Sequence, residues 1–250
     1  NGMDSIVPMT VDGKNAPKPG QIFCNPDMAR VLRELGKLGA TDGFYNGPTG
    51  QAIVDAIKKF GGVMEVDDLH KHESLFPTPI SANYRGVDLW QVPPNGQGVA
   101  ALVALSGLQA LEEKGKCPMI SPGNIGKADA YHVMIEMMRL GFADARAHVA
   151  CPDHTLVTPE WLLDQARIGS RAEALFEPSR ATIQGDPLPS SCTVSFQVVD
   201  QEGNAVSFVN SNYMGFGTGI MPDGCGFTLQ NRGFGFTLDE SHPNSLAGGK

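Results

Sequence analysis

The chain has 250 residues, 41% hydrophobic and 18% charged, with a formal net charge of -8. A negative balance without a basic run excludes a nucleic-acid partner, because phosphate binding needs a basic surface. The longest apolar stretch, residues 99–111, is interrupted by Ser106, Gly107 and Gln109 and is too short to span a bilayer.

The first elements are helical. Asn25-Pro26-Asp27 supplies a cap with proline in the first turn, and Met28, Val31, Leu32 and Leu35 recur at helical spacing. Residues 49–60 predict a second amphipathic helix, with Ile53, Val54 and Ile57 inward and Gly61-Gly62 as its stop. An extended segment follows over residues 81–92, turning at Arg85-Gly86 and carrying Trp90 as a core residue. Pro93-Pro94-Asn95-Gly96-Gln97-Gly98 could bind an anion at a helix start, but no partner completes a phosphate site and a tight strand-to-helix turn is preferred. Residues 99–111 then read as a buried helix.

Residues 127–150 are helical throughout, with Tyr131, Met134, Ile135, Met138, Phe142 and Ala145 as one stripe. Arg146 could pair with Asp144 or Asp153 or reach an active site. His132 and His148 are too far apart to chelate one metal. A further helix over residues 159–168 begins after the cap Thr158. Residues 177–191, rich in Pro and Ser, read as an exposed linker of the kind a processing cut needs. The five cysteines are an odd number without a CxxC, and most of them read as small buried hydrophobes, so no compartment follows. No zinc-ligand spacing or GxxxxGK[ST] occurs, so neither metal nor cofactor is expected.

Chemistry concentrates after residue 192. Val194, Phe196 and Val198 alternate with Ser195 and Gln197, Asp200 to Asn204 form a turn, and residues 205–209 return as a second strand. A strand opening on Thr193, right after Pro189-Ser190-Ser191-Cys192, invites a cut at Cys192–Thr193 that frees an N-terminal threonine. Ser191 and Cys192 are rival nucleophiles, ranked lower because only Thr193 holds the spacing to Val198-Val199-Asp200.

This segment resembles the start of the small subunit of the γ-glutamyltranspeptidases, which are N-terminal-nucleophile (Ntn) hydrolases. The family pattern of Thr, two variable residues, an aromatic, V-V-D, G-N-A-V and F-G-[ST]-G is matched from Thr193 to Gly219. Upstream, Gly43-Phe44-Tyr45-Asn46-Gly47, Gly61-Gly62-Val63, Asp67-Asp68-Leu69, Tyr84-Arg85-Gly86, Pro93-Pro94-Asn95-Gly96 and Ala143-Asp144-Ala145-Arg146 follow in the family's order. The resemblance implies an α+β fold, the four-layer αββα sandwich. Residues 1–192 would be the later part of a large subunit and 193–250 the first part of a small one, in one structural domain. The chain would thus be a piece across the subunit junction of an autoprocessed heterodimer, with higher assembly open. Thr193 would be the nucleophile and Ser211 the hydroxyl bonded to it. The oxyanion hole would map beyond Lys250, so such a piece alone would be nearly inactive.

Departures from the family pattern bear on the substrate. The family reads an α-amino group with Gln and, three residues on, Asp in N-N-Q-x-x-D-F, whereas this chain has Arg232 and Gly235 there, beside Asn231. Tyr213 stands where many transpeptidases have Asn. An ammonium would meet a guanidinium, and arginine reads carboxylates bidentately. The expected activity is therefore amide hydrolysis or acyl transfer on a small amide or peptide whose acyl group ends in a carboxylate, with Tyr213, Asn231 and Arg232 binding substrate. A γ-glutamyl hydrolase or transpeptidase acting on glutathione and an unprocessed binding relative are the alternatives.

Overall fold

A computed structural model describes residues 4–182 and 193–248. The chain divides into two compact units, Asn1–Ser74 with Pro189–Gly235, and Leu75–Leu188 with Phe236–Lys250. Among the described residues the strands form two two-stranded antiparallel sheets, one in each unit.

In the first unit, α1 (Pro26–Ala40) starts as its sequence dictates. Asn25 Oδ1 accepts from the Met28 amide at 3.0 Å, and Pro26 occupies the first turn. The same asparagine donates through Nδ2 to the Gly226 carbonyl at 2.6 Å, and Arg30 donates to the Gly224 carbonyl at 2.8 Å. One cap thus orders a helix and ties it to a loop 201 residues away. A π-turn, Thr41–Tyr45, leads into α2 (Pro48–Lys59), which buries Ile53 and Val54. Gly50 is required at that junction, since a Cβ there would lie 2.2 Å from the Tyr45 carbonyl oxygen. The short α3 (Val66–His70) carries a Glu65/Asp68 capping box.

The second unit is built on α4 (Val99–Glu113), which is apolar nearly all round and buried accordingly. It packs against α5 (Ala128–His148) and α7 (Gln165–Leu175), and the hairpin β1 (Ile80–Tyr84)–β2 (Val87–Gln91) covers another side. Val103, Leu111, Val133, Met137, Leu140, Leu162 and Ile168 form the centre of this core. The hairpin turns at Arg85-Gly86, as expected, with both residues at positive φ. Residues 93–98 run from β2 into α4 as a turn. There a Cβ on Gly98 would meet Gln91 Oε1 at 2.6 Å.

Three expectations are corrected. Trp90 is 59% exposed rather than core. Strand alternation gives the inward face to Ala82 and Leu89, and Trp90 lies opposite Ser81 on the other face. In α5 the buried stripe is Ala130, Val133, Glu136, Met137, Leu140, Gly141, Asp144 and Ala145, while Tyr131, Ile135, Met138 and Phe142 face outward. Burial of Glu136 and Asp144 is compensated by partners. Arg139 and the Thr182 amide hold Glu136, and Arg167 and Arg171 hold Asp144. The expected single helix over residues 159–168 is two, α6 (Pro159–Leu162) and α7, because Asp164 accepts from the Arg167 amide at 2.7 Å and starts a new helix. Thr158 caps α6 as expected.

Smaller expectations resolve in the same unit. Arg146 is exposed and its carbonyl accepts from His242, while the Asp144 carboxylate is held by Arg167 and Arg171. His132 Nε2 bonds the Glu177 carbonyl, and the His148 ring packs edge-on against Trp161. Of the expected linker, residues 183–191 lie outside the described residues.

Candidate active site

The site begins with a hairpin whose register is closed by its own turn. β3 (Thr193–Val199) and β4 (Ala205–Ser211) pair antiparallel, with Thr193 opposite Ser211 and Val199 opposite Ala205. Asp200 accepts from the Asn204 amide and side chain, both at 2.8 Å, and Gly203 takes the positive φ that the reversal needs. The Asn204 side chain, then its backbone amide, hold the Asp200 carboxyl below its ordinary pKa.

Strand period two sorts the hairpin into unlike faces. Val194, Phe196 and Val198 share one face with Val206 and Phe208, and the two phenylalanine rings stack at 5.0 Å. Thr193, Ser195 and Gln197 share the other with Ser207 and Ser211, and with Val199, Ala205 and Val209. The candidate nucleophile therefore lies on the face that carries the hydroxyls.

At the open end Thr193 Oγ1 donates to Ser211 Oγ at 3.0 Å. The same serine oxygen accepts the Tyr213 amide at 2.9 Å. Tyr213 has φ 75°, a left-handed conformation uncommon for a non-glycine residue, which redirects the chain immediately after that amide.

A second segment locks this loop. The Met214 amide donates to Asn231 Oδ1 at 3.0 Å, and the Asn231 amide to the Asn212 carbonyl at 3.1 Å. Asn212 Nδ2 in turn donates to Thr228 Oγ1 at 3.1 Å. Gly217 makes the close crossing possible, since a Cβ there would sit 2.1 Å from the Leu229 carbonyl oxygen. Arg232 opens a 3₁₀ turn (Arg232–Gly235) and reaches across, donating to the Ser211 carbonyl at 3.1 Å, with its guanidinium 5.7 Å from the Tyr213 ring centre. Phe234 lies on that turn, with its ring 6.5 Å from the Tyr213 ring.

Thr193, Ser211, Tyr213, Asn231 and Arg232 are thus brought together, and Cys192 lies outside the described residues. Sequence reasoning missed the Tyr213 amide and the Asn212–Thr228 brace. The first is a backbone amide contact, which carries no sequence signal. The second could have been sought in the repeated asparagines at 210, 212 and 231. A cavity of about 410 Å³ in the same unit is lined by Met9, Asn25, Met28, Asn212, Gly215, Phe216, Gly226, Phe227 and Thr228 rather than by the five site residues. Among the described residues no cluster of three or more His, Cys, Asp or Glu could hold a metal, and no helix is long and apolar enough to cross a membrane.

Residues 5–250 match the gamma-glutamyltranspeptidase family model, and the chain belongs to that family. It is 34% identical over 232 residues to the glutathione hydrolase-like YwrD proenzyme of Bacillus subtilis, covering 92% of this chain and 42% of that protein. It is 32% identical over 235 residues to the oxamate amidohydrolase proenzyme of Klebsiella pneumoniae, covering 94% and 42%. Among solved structures it is similar to a cephalosporin acylase from Bacillus halodurans, with TM-score 0.78 and 33% identity over 98% of this chain and 42% of that one. The α+β fold is that of the Ntn hydrolases, as the sequence predicts, and the chain spans 42% of the length of these relatives.

Proposed function

We propose that the full-length protein is an autoprocessed Ntn amidohydrolase and acyltransferase, with Thr193 as nucleophile, acting on small amides whose acyl group ends in a carboxylate. The contact of Thr193 Oγ1 with Ser211 Oγ, at the first residue of a strand, carries this reading. In maturation the Thr193 hydroxyl attacks the Cys192 carbonyl carbon, and the Cys192–Thr193 C–N bond breaks to leave an ester. Water hydrolyses that ester, giving a carboxylate on Cys192 and a free amine and hydroxyl on Thr193. The two products are a large subunit ending at Cys192 and a small subunit beginning at Thr193, held together as a heterodimer.

In turnover the freed α-amine, with an ordinary pKa of about 8, takes the hydroxyl proton as oxygen attacks the substrate carbonyl. The same proton passes to the departing amine. An acyl ester on Thr193 remains for water or an acceptor amine to release. Ser211 holds the attacking hydroxyl in place, and Asn231 fixes the loop that carries Tyr213. Arg232 pairs with the acyl carboxylate, and among the described residues no carboxylate of the chain is paired with it.

A second reading is γ-glutamyl hydrolysis of glutathione, favoured by the name of the Bacillus subtilis relative. Intact mass and N-terminal sequencing of the full-length protein test the shared step. Two chains are expected, one starting at Thr193, and a single uncut chain would make the protein a non-catalytic relative. Between the two enzymes, glutaryl anilide should be turned over faster than γ-glutamyl anilide, and the opposite preference would sink the carboxylate reading.

A further inference from the structure

Asn25 serves two segments with the two ends of its amide. Its Oδ1 accepts from the Met28 amide at 3.0 Å and caps α1, and its Nδ2 donates to the Gly226 carbonyl at 2.6 Å. Capping needs only an oxygen, which aspartate or serine supplies as well as asparagine does. The bond to Gly226 needs the amide nitrogen, which neither of those carries.

The fit around that bond is close. Gly226 has φ 69°, and a Cβ on it would lie 2.2 Å from Asn25 Oδ1 and 2.6 Å from the Met28 amide nitrogen. Arg30, in the next turn of α1, donates to the Gly224 carbonyl at 2.8 Å, and the Phe227 ring stacks on Phe44 at 6.0 Å. Two residues past Gly226, the buried Thr228 accepts through Oγ1 from Asn212 Nδ2 at 3.1 Å. Asn212 follows Ser211, whose Oγ accepts from Thr193 Oγ1 at 3.0 Å. A relay thus runs from a helix cap to the candidate nucleophile, all within the first unit. Asn25, Gly226, Thr228 and Asn212 also line the cavity of about 410 Å³. With open space on that side, hydrogen bonds rather than packing hold the relay in register.

Resting on the function proposed above, and on its cut at Cys192–Thr193, we propose that Asn25 is a positioning residue that the large subunit supplies to the active site. Its bond to Gly226 seats the small-subunit loop on α1 and thereby sets Ser211 and the Thr193 hydroxyl. Asn25 and Gly226 stand 201 residues apart, on opposite sides of that cut. After cleavage the bond joins two separate chains, and the small subunit relies on the large one for the geometry of its own nucleophile.

The test uses the full-length protein and reads two rates: appearance of the chain that begins at Thr193, and steady-state turnover of glutaryl and γ-glutamyl anilides. Asn25→Asp and Asn25→Ser keep a capping oxygen and lose the donor to Gly226, so both should fold. In each the cut should slow, and kcat on the accepted anilide should fall at least about fivefold while KM changes less than about twofold. Thr228→Val removes the acceptor of Asn212 at the far end of the relay and should lower kcat similarly. The double variant Asn25→Ser with Thr228→Val should fall little below the slower single one, because both changes break the same relay.

Wild-type cutting and turnover by both Asn25 variants overturn the inference and leave the proposed function intact. Losses that multiply in the double variant, or an effect confined to KM, overturn it as well. A wild type that is cut but turns over neither anilide defeats the substrate reading alone, since the cutting rate still reports on Asn25. A wild-type chain that stays uncut defeats both.

Discussion

Ser211 receives two donors at one oxygen, the Thr193 hydroxyl and the Tyr213 amide. Each such bond contributes about 0.5–1.5 kcal/mol net, which bounds what the serine would add under the proposed function. Ser211→Ala should therefore lower kcat by roughly three- to tenfold, equivalent to about 1 kcal/mol, with the cut at Thr193 slowed but not abolished. Ser211→Thr, which restores a hydroxyl, should recover most of the rate in the same steady-state assay. The five candidate residues were legible one by one because each differs from or repeats a family pattern. Their joining was not, because it runs through backbone groups: the Ser211 carbonyl, the Tyr213 amide and the Met214 amide.

The α4–α5 packing shows what a pattern of apolar residues leaves out. α4 was legible because it is apolar on nearly every side, so no choice of face was needed. α5 was misread because its inward stripe includes two carboxylates and a glycine, which a count of hydrophobic residues passes over. Gly141 is the tightest point, where a Cβ would fall 2.2 Å from the Ala100 carbonyl oxygen in α4. Gly141→Ala cannot be absorbed by turning a side chain, because the obstacle is backbone. We expect it to cost about 1–3 kcal/mol, in the range of core overpacking, read as a lower urea midpoint for the full-length protein. Glu112 shows the same logic. Buried on α4, it accepts from the Arg85 guanidinium, the Ile120 amide at 2.8 Å and the Tyr84 hydroxyl at 3.2 Å, and burial beside that carboxylate raises the Tyr84 pKa to about 12.

Across the molecule, the hairpin and the helical core stand in different units and solve burial differently. The second unit closes a core of its own around α4. The hairpin of the first unit leaves Val194, Phe196, Val198, Val206 and Phe208 between 47% and 65% exposed. Where a second sheet packs on a strand pair, a face of this composition turns inward. Phe196→Asp should accordingly destabilise the full-length protein by about 1.5–3 kcal/mol, the worth of one buried aromatic side chain. Thermal denaturation checks this, and an unchanged Tm would mean that the face stays wet.

The two-faced hairpin also limits how this site can vary in length. Thr193 and Ser211 meet because both positions are odd in a ladder that alternates side chains. An inserted or deleted single residue within β4 would send every hydroxyl beyond it to the side of the phenylalanines, while a change of two would restore the sides and merely shift the pairing. Descendants of this sequence can therefore lengthen or shorten that strand only in even steps if the threonine is to keep its serine.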